Sequence, residues 1–289
     1  MKKRTIGING LGKMGMAVAE RLLEIGEPIA VHTRSKEKYN RFTQSDVIWC
    51  DSPQALINQC GFVINFLFDD LSVEHSFFSN SGYLTGDLNN KHIIEMTTIK
   101  PVTANKIALA VKSKGGIFIE SPVSGTVGPA RKGQLMALVG AEPADLESSK
   151  EVLDLLTRKI IHAGPVGQGS LLKLVINLPL AIYWQSIKEA YELAKLHNMD
   201  ISLVIEALAE SGACAKVLNH KIESILGRSN DCGFDVTTMI KDIDCIQSLY
   251  EGQPQELEAL NAAMDSYRAL SDRGLGDLDA CRIINPPKQ

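Results

Sequence analysis

The chain has 289 residues, which is enough for about two domains of ordinary size. Hydrophobic residues make up 45% of it and charged residues 22%, a globular composition that excludes disorder, collagen-like repeats and a coiled coil. The net charge of −4 argues against a general nucleic-acid-binding protein, because phosphate contacts need a clustered basic surface.

The cysteines and the N-terminus indicate the cell compartment. Six cysteines form no Cys-x-x-Cys pair and follow no regular spacing, so we expect free thiols in a reducing compartment and no metal site. The basic start, Met1-Lys2-Lys3-Arg4, is similar to that of a secretory signal, but Asn9 and Lys13 interrupt the apolar stretch that follows. No run approaches the roughly 18 apolar residues of a membrane span. We therefore predict a cytoplasmic protein that binds no membrane.

Strands and helices are predicted to alternate over the first half of the chain. Short apolar runs predict buried strands at residues 5–9, 28–32, 62–66, 92–96, 117–120, 135–139 and 159–162. Apolar residues at three- and four-residue spacing predict helices at residues 15–25, 52–60, 73–79, 102–114 and 144–156. This alternation is typical of a doubly wound α/β domain, in which helices cover both faces of a parallel sheet.

The second half of the chain is predicted to be all-helical. A long helix is expected from about Gln168 to Asn198. Further helices are expected at about 201–210, 213–226, 235–251 and 254–270. We therefore place an α/β domain at residues 1–163 and an all-α domain at residues 164–289, joined by the long interdomain helix.

The long helix has two unusual features. Pro179 lies inside it and predicts a kink, because proline has no N–H to donate to the carbonyl of the residue four positions earlier. The helix also carries more apolar positions than one helical domain can cover, including Ile182, Tyr183 and Trp184. This excess predicts a homodimer or a homotetramer.

A glycine-rich loop, Gly10-Leu11-Gly12-Lys13-Met14-Gly15, joins the first predicted strand to the first predicted helix. In this context the G-x-G-x-x-G pattern is typical of a Rossmann-type dinucleotide site. The first glycine permits the tight turn, the second lets the backbone approach a pyrophosphate, and the third lets the helix pack against the strand. A glycine-rich turn without a ligand is the alternative.

The end of the second predicted strand indicates which dinucleotide is bound. An NAD site places an acidic residue about 20 residues beyond the loop, but no acid lies between Glu27 and Glu37. Arg34 can instead bind a 2′-phosphate through two N–H groups, with Thr33 and Ser35 as hydroxyl donors. We therefore predict NADP(H) and regard NAD as the weaker candidate. A basic surface turn is the alternative.

Two further clusters of polar residues are candidates for a substrate site. Ser124 and the backbone N–H groups of Gly125 and Thr126 follow a predicted strand and can form a small anion pocket, or simply a turn. Lys173 and Asn177 are four residues apart, so they share one face of the long helix. A lysine that extends its side chain to the surface is the alternative for Lys173.

Several motifs together resemble those of the β-hydroxyacid dehydrogenase family. This family includes 3-hydroxyisobutyrate dehydrogenase, tartronate semialdehyde reductase and the glyoxylate/succinic semialdehyde reductases. The resemblance runs essentially end to end and includes the glycine loop and the pair Lys173 and Asn177. It also includes Met96-Thr97-Thr98, Ser121-Pro122-Val123-Ser124-Gly125, Gly167-Gln168-Gly169, Lys241-Asp242 and Gly276-Asp277-Leu278-Asp279.

The resemblance implies a role for each matching position. Lys173 is implied to be the catalytic lysine, and Asn177 the orienting amide on the same helix. Lys241 is implied to close the site beside the nicotinamide. The other implied positions bind the substrate, at Ser124, Gly125, Thr126 and Asp242, or the cofactor, at Leu67, Thr98 and residues 10–15. The family also implies that the helical domain serves oligomerisation.

Three departures from the family pattern leave the substrate open. Thr126 stands where the family usually has a second glycine after the serine, which adds bulk and a hydroxyl. Phe68 replaces a usual proline after Leu67, and Leu178 replaces a second asparagine after Asn177.

The predicted reaction is reversible hydride transfer between a nicotinamide and the carbonyl carbon of a small carboxylate-bearing oxo acid or semialdehyde. In reduction, Lys173 would stabilise the charge that develops on the carbonyl oxygen and donate the proton. An imine reductase of the same architecture is one alternative, although such enzymes generally lack the lysine. A non-catalytic NADP-binding scaffold is the other.

Overall fold

The computed structural model describes residues 5–42, 46–254 and 256–287. The chain divides into two compact units, Met1–Lys173 and Leu174–Gln289. The first combines a sheet with helices and the second is helical, which confirms the predicted fold class. The predicted domain boundary at residue 164 stays a prediction.

The first unit contains a nine-stranded sheet. Its strands are β1 (Ile6–Asn9), β2 (Ile29–His32), β3 (Ile48–Trp49), β4 (Phe62–Asn65), β5 (His92–Glu95), β6 (Ile117–Glu120), β7 (Val123–Ser124), β8 (Leu135–Gly140) and β9 (Thr157–Gly164). Its helices are α1 (Lys13–Glu24), α2 (Pro53–Gln59), α3 (Asp70–Phe78), α4 (Pro101–Ser113), α5 (Val127–Arg131) and α6 (Pro143–Leu156).

The strands lie in the order β3-β2-β1-β4-β5-β6-β8-β7, and β9 pairs with β8. Strands β1 to β6 pair with one another in parallel, but β8 runs antiparallel to both β6 and β7. The predicted parallel pairing therefore holds for β1 to β6, and the antiparallel β8 was not predicted. The connection from β7 to β8 contains only the short α5, and such a link suits antiparallel neighbours better than a parallel crossover.

Apolar residues of the parallel strands alternate between the two faces of the sheet. Ile8 and Ile64 belong to one core cluster with Leu22 of α1, whereas Val63 and Ile93 belong to another. Burial on both faces explains why these strands are continuous apolar runs in the sequence. Strands β3 and β7 escaped prediction because two residues are too few to show any pattern.

The second unit is built from helices. They are α7 (Gln168–Leu196, which begins in the first unit), α8 (Ile201–Glu210), α9 (Lys216–Asn219), α10 (Ile222–Ile225), α11 (Val236–Ser248) and α12 (Glu258–Asp272). The prediction of one helix over residues 213–226 is wrong, because α9 and α10 are separate. Asn219 and His220, at the break, are both weak helix formers.

Helix α7 runs through Pro179 as one element of 29 residues. Pro179 and Val175 are both exposed, so water can replace the hydrogen bond that the proline removes. Trp184 is only 2% exposed within this chain and packs in the helical core. The prediction that the helical domain leaves this side chain uncovered is therefore wrong. The predicted kink and the predicted homo-oligomer stay predictions.

By length and composition alone, α7 could cross a membrane. This is weak evidence, because the core helix of a non-membrane protein meets the same criteria. In its most apolar 18-residue window, 33% of the residues are buried inside the chain. The predictions of a cytoplasmic location and of no membrane binding stay predictions.

A row of buried polar residues lies at the carboxyl ends of four neighbouring strands. Asn9 pairs in register with Asn65, Asn65 with Glu95, and Glu95 with Glu120. All four side chains are at most 1% exposed. Because a buried polar group is costly without partners, this edge of the sheet must supply hydrogen bonds to each.

Glu95 receives hydrogen bonds at both oxygens. Asn65 Nδ2 donates to its Oε2 at 2.7 Å, and the backbone N–H of Thr97 donates to its Oε1 at 3.0 Å. Burial raises the pKa of Glu95 to about 7, although hydrogen bonds from Thr97 and Asn65 oppose the shift. In the folded protein this carboxyl therefore titrates near neutral pH.

Replacing Glu95 by Gln should change how stability depends on pH. Between the ordinary pKa of 4.5 and about 7, the folded protein keeps a proton that the unfolded chain has lost. The wild-type free energy of unfolding should therefore fall by up to about 3 kcal/mol as pH rises through this window. Urea unfolding of both proteins at pH 5 and pH 8 measures this. The free energy of unfolding of Glu95→Gln, relative to that of the wild type, should be higher at pH 8 than at pH 5. The same difference in free energy of unfolding at both pH values would contradict the raised pKa of Glu95.

Candidate active site

The glycine loop has the geometry of a tight strand-to-helix turn. Gly10 has φ of 95°, and a Cβ there would lie 2.1 Å from the carbonyl oxygen of Phe66. A Cβ at Gly15 would lie 1.9 Å from the carbonyl oxygen of Gly10. Only glycine fits either position, so the helix is held close against the strand.

The same loop has the features that a dinucleotide pyrophosphate needs. Gly12 caps α1 and is exposed, and no described atom beyond its two chain neighbours lies within 4 Å of the position that its Cβ would take. The first turn of α1 carries no acidic side chain. The loop therefore leaves room at Gly12 for the anionic part of the cofactor, and the dipole of α1 favours negative charge at this end of the helix. Of its other residues, Leu11 is buried, Met14 is half-buried and Lys13 is exposed.

The segment after β2 lies at the same edge of the sheet as the glycine loop. The N–H of Gly10 donates to the carbonyl oxygen of His32, the last residue of β2, at 2.8 Å. Beyond it, Thr33 is buried, Arg34 is exposed and Ser35 is half-buried. The guanidinium of Arg34 is therefore accessible to a ligand close to the loop.

Two other predicted cofactor residues follow strands at this edge. Leu67 lies just beyond β4, and its N–H donates to the Thr97 hydroxyl at 2.9 Å. Thr98 lies just beyond β5 and is half-buried. Glu95 accepts from Thr97, so one buried carboxyl supports the segments that carry both residues. Spacing alone did not reveal Glu95; an acid ending an otherwise apolar strand is the signal that could have.

The predicted carboxylate-binding turn follows β7. Gly125 is exposed with φ of 129°, a conformation that favours glycine. Ser124 and Thr126 on either side are half-buried. Thr126 stands at the N-terminus of α5, and within the described chain its side chain makes no capping hydrogen bond to that helix. The turn can therefore offer a backbone N–H and two hydroxyls to an anion.

Helix α7 carries Lys173 and Asn177 one turn apart. Lys173 is half-buried, whereas Asn177 is only 2% exposed. Asn177 Nδ2 donates to Asp242 Oδ2 of α11 at 2.6 Å. The other oxygen of Asp242 lies 2.5 Å from Lys241 Nζ. The structure thus joins three of the predicted site residues, and the fully buried Asp242 orients both Asn177 and Lys241.

The C-terminal motif supports the start of α11. Asp279 is buried, and its Oδ2 accepts from the N–H of Gly233 at 3.0 Å and lies 2.5 Å from Lys221 Nζ. The N–H of Phe234 donates to the same oxygen at 3.4 Å. Because these residues precede the helix that bears Lys241, Asp279 holds that helix in place. Its sequence spacing could not indicate this.

The described residues offer little for metal or disulfide chemistry. No group of three or more His, Cys, Asp or Glu side chains within them is arranged to hold a metal ion. All six cysteines are free thiols. Burial raises the pKa of Cys60 to about 12, so this thiol is unreactive at neutral pH.

Two family models together match almost the whole chain. One describes the NAD binding domain of 6-phosphogluconate dehydrogenase and matches residues 5–164. The other describes the NAD-binding part of NADP-dependent 3-hydroxyisobutyrate dehydrogenase and matches residues 167–286.

Individual proteins show the same similarity. The uncharacterized oxidoreductase YkwC of Bacillus subtilis is 30% identical over 272 residues, which cover 94% of each chain. Glyoxylate/succinic semialdehyde reductase 1 of Arabidopsis thaliana is 28% identical, with 98% of each chain covered. The solved structure of Mycobacterium tuberculosis 3-hydroxyisobutyrate dehydrogenase with L-serine has a TM-score of 0.86 at 22% identity, with 98% of each chain covered. That last likeness shows a shared fold.

Proposed function

Because the chain belongs to the β-hydroxyacid dehydrogenase family and is an NAD(P)-dependent oxidoreductase, we propose that it interconverts a small β-hydroxy acid and the corresponding semialdehyde or oxo acid with NADP(H). The observation that carries this proposal is the arrangement on α7. There Lys173 lies one turn before an asparagine that the buried Asp242 holds in a single orientation.

Lys173 has the chemistry that carbonyl reduction requires. The bound nicotinamide supplies or accepts the hydride. As an ammonium group, Lys173 stabilises the negative charge that develops on the carbonyl oxygen and donates a proton to it. In the oxidative direction the neutral amine takes the proton back. Asn177, whose amide is oriented by Asp242, holds the substrate carbonyl and the lysine in the arrangement that the reaction needs.

The substrate class follows from the turn after β7. Gly125 is exposed between the half-buried Ser124 and Thr126, and backbone N–H groups and two hydroxyls at such a turn suit a carboxylate. Thr126 is larger than the glycine usual in the family, and this favours a compact substrate. Lys241 adds positive charge on the substrate side, as the family resemblance implies.

NADP(H) is favoured by the segment after β2. The exposed guanidinium of Arg34 can pair with a 2′-phosphate, and Thr33 and Ser35 provide neighbouring hydroxyls. No acid between residues 27 and 37 would repel that phosphate.

A panel of aldehydes and imines tests the reaction class. Small aldehydes that bear a carboxylate should be reduced with NADPH far more efficiently than matched aldehydes that lack it, because only the former engage the turn at Ser124. Absorbance at the NADPH band gives kcat/KM for each. Comparable efficiency with and without the carboxylate would refute the proposed pocket. Preferred reduction of imines would indicate an imine reductase, and no turnover of any compound would indicate a binding scaffold.

Replacing Arg34 by Ala should weaken the binding of NADPH but not that of NADH. We expect its KM to rise by about tenfold or more, the cost of one charge-assisted contact, with NADH nearly unaffected. Lys38→Ala, which removes another exposed cation four residues further along, serves as the matched control. Equal losses with both cofactors would overturn the assignment of the 2′-phosphate site.

Replacing Lys173 by Ala should lower kcat by roughly 10² to 10⁴, the range expected for general acid catalysis. The dissociation constant for NADPH, measured by fluorescence titration, should stay within about threefold, because the cofactor contacts proposed above lie elsewhere. Lys173→Arg should not restore the rate, since a guanidinium does not release its proton. Lys195→Ala, an exposed lysine on the same helix, is the control. A near-wild-type kcat for Lys173→Ala would remove this residue from the mechanism.

A further inference from the structure

Glu120 is a fully buried acid that the chemistry proposed above does not use. It ends β6, and both of its oxygens face the start of α7. Oε2 accepts from the backbone N–H of Gly167 at 2.7 Å and from that of Gly169 at 3.0 Å. Oε1 accepts from the N–H of Ser170 at 3.0 Å. One carboxylate therefore binds three backbone donors at the beginning of the long helix.

These contacts serve as a helix cap supplied from the sheet. The first N–H groups of a helix have no partner within the helix, and a negative charge there is also favoured by the helix dipole. The first turn of α7 contains no acid of its own. Glu120 fills this role from a strand some 50 residues earlier in the chain.

The packing around this carboxylate is tight. A Cβ at Gly140 would lie 2.1 Å from Glu120 Oε2, and one at Gly169 would lie 3.0 Å from the same atom. Burial raises the pKa of Glu120, while the backbone N–H groups that donate to it lower it. A buried carboxyl costs free energy, so three donors at one acid amount to a dedicated junction between β6 and α7.

Along the chain, the two halves of the junction lead to two parts of the proposed active site. Lys173 follows Gly169 by one helical turn, so the anchored first turn of α7 fixes the position of the lysine backbone. In the other direction along the chain, Ser124 follows Glu120 by four residues, through β7. Any shift of α7 against β6 would change the distance between the ammonium of Lys173 and the turn at Ser124.

We propose that Glu120 is a positioning residue for hydride-transfer chemistry: it locks the first turn of α7 to the sheet and so sets Lys173 against the carboxylate-binding turn. This inference rests on the role proposed for Lys173. Both oxygens of Glu120 accept from backbone N–H groups at the start of α7, so it acts through the lysine.

Glu120→Gln is the sharpest single change. Glutamine keeps the size, but its amide NH₂ replaces one acceptor oxygen and would oppose a backbone N–H donor. We expect kcat to fall by about 10- to 100-fold with a carboxylate-bearing aldehyde, while the dissociation constant for NADPH changes by less than about threefold. Gly140→Ala, whose Cβ would displace the same oxygen without removing the acid, should reproduce the loss of kcat. Circular dichroism shows which of the two variants is folded, and kcat is interpreted for the folded one.

A double-mutant cycle separates positioning from general damage. If Glu120 acts through Lys173, adding Glu120→Gln to Lys173→Ala should lower kcat by no more than about threefold further. Glu95→Gln is the matched control: Glu95 is equally buried and in register with Glu120, but its oxygens accept from Asn65 and Thr97. In the double variant, the fold reduction in kcat caused by Glu95→Gln should multiply with that caused by Lys173→Ala.

The outcomes distinguish the two proposals. If the wild type turns over no carboxylate-bearing aldehyde, the proposed function fails, whatever Glu120 does. If the wild type is active but Lys173→Ala keeps the wild-type kcat, the lysine leaves the mechanism and the positioning role of Glu120 is overturned with it. If Lys173→Ala loses its rate but the effect of Glu120→Gln multiplies with it, or if Glu120→Gln keeps the wild-type kcat, the positioning role of Glu120 is overturned.

Discussion

The parallel pairing of β1, β4, β5 and β6 in matched register brings the carboxyl ends of four strands to one edge of the sheet. This register aligns the buried row from Asn9 to Glu120. Each loop that follows a strand of the row then starts from a fixed point. The glycine loop, the segments at Leu67 and Thr98, and the turn at Ser124 all follow strands of this edge or continue directly from it. Ligands of open α/β sheets bind at such an edge.

The buried acids at this edge have different tasks. Glu95 accepts from Asn65 and Thr97 and so supports the segments after β4 and β5. Glu120 accepts from three backbone N–H groups and so supports α7. In both cases a buried carboxyl, which costs free energy, is retained where more than one donor must be satisfied: a side-chain amide and a backbone N–H at Glu95, and three backbone N–H groups at Glu120. Each acid stiffens a segment that carries a proposed functional residue.

The helical unit uses the same principle with fewer groups. Asp242 receives the amide of Asn177 and the ammonium of Lys241, which ties α7 to α11 inside that unit. Asp279 receives the N–H groups that precede α11 and the ammonium of Lys221. Without these buried contacts, the polar side chains on α7 and α11 would sample several rotamers, and a site for small substrates depends on a single arrangement.

The sequence by itself determined the α/β-then-helical order, the glycine loop and the candidate pair Lys173 and Asn177. These features are local: periodicity, turn chemistry and motif spacing depend on neighbours within a few turns of chain. Tertiary structure alone decided the antiparallel β8, the burial of Trp184 and the partners of Glu95, Glu120 and Asp279. Partners of the three acids lie as far as 30, 50 and 58 positions away along the chain. Spacing along the chain carries no record of which buried donor each carboxyl will meet.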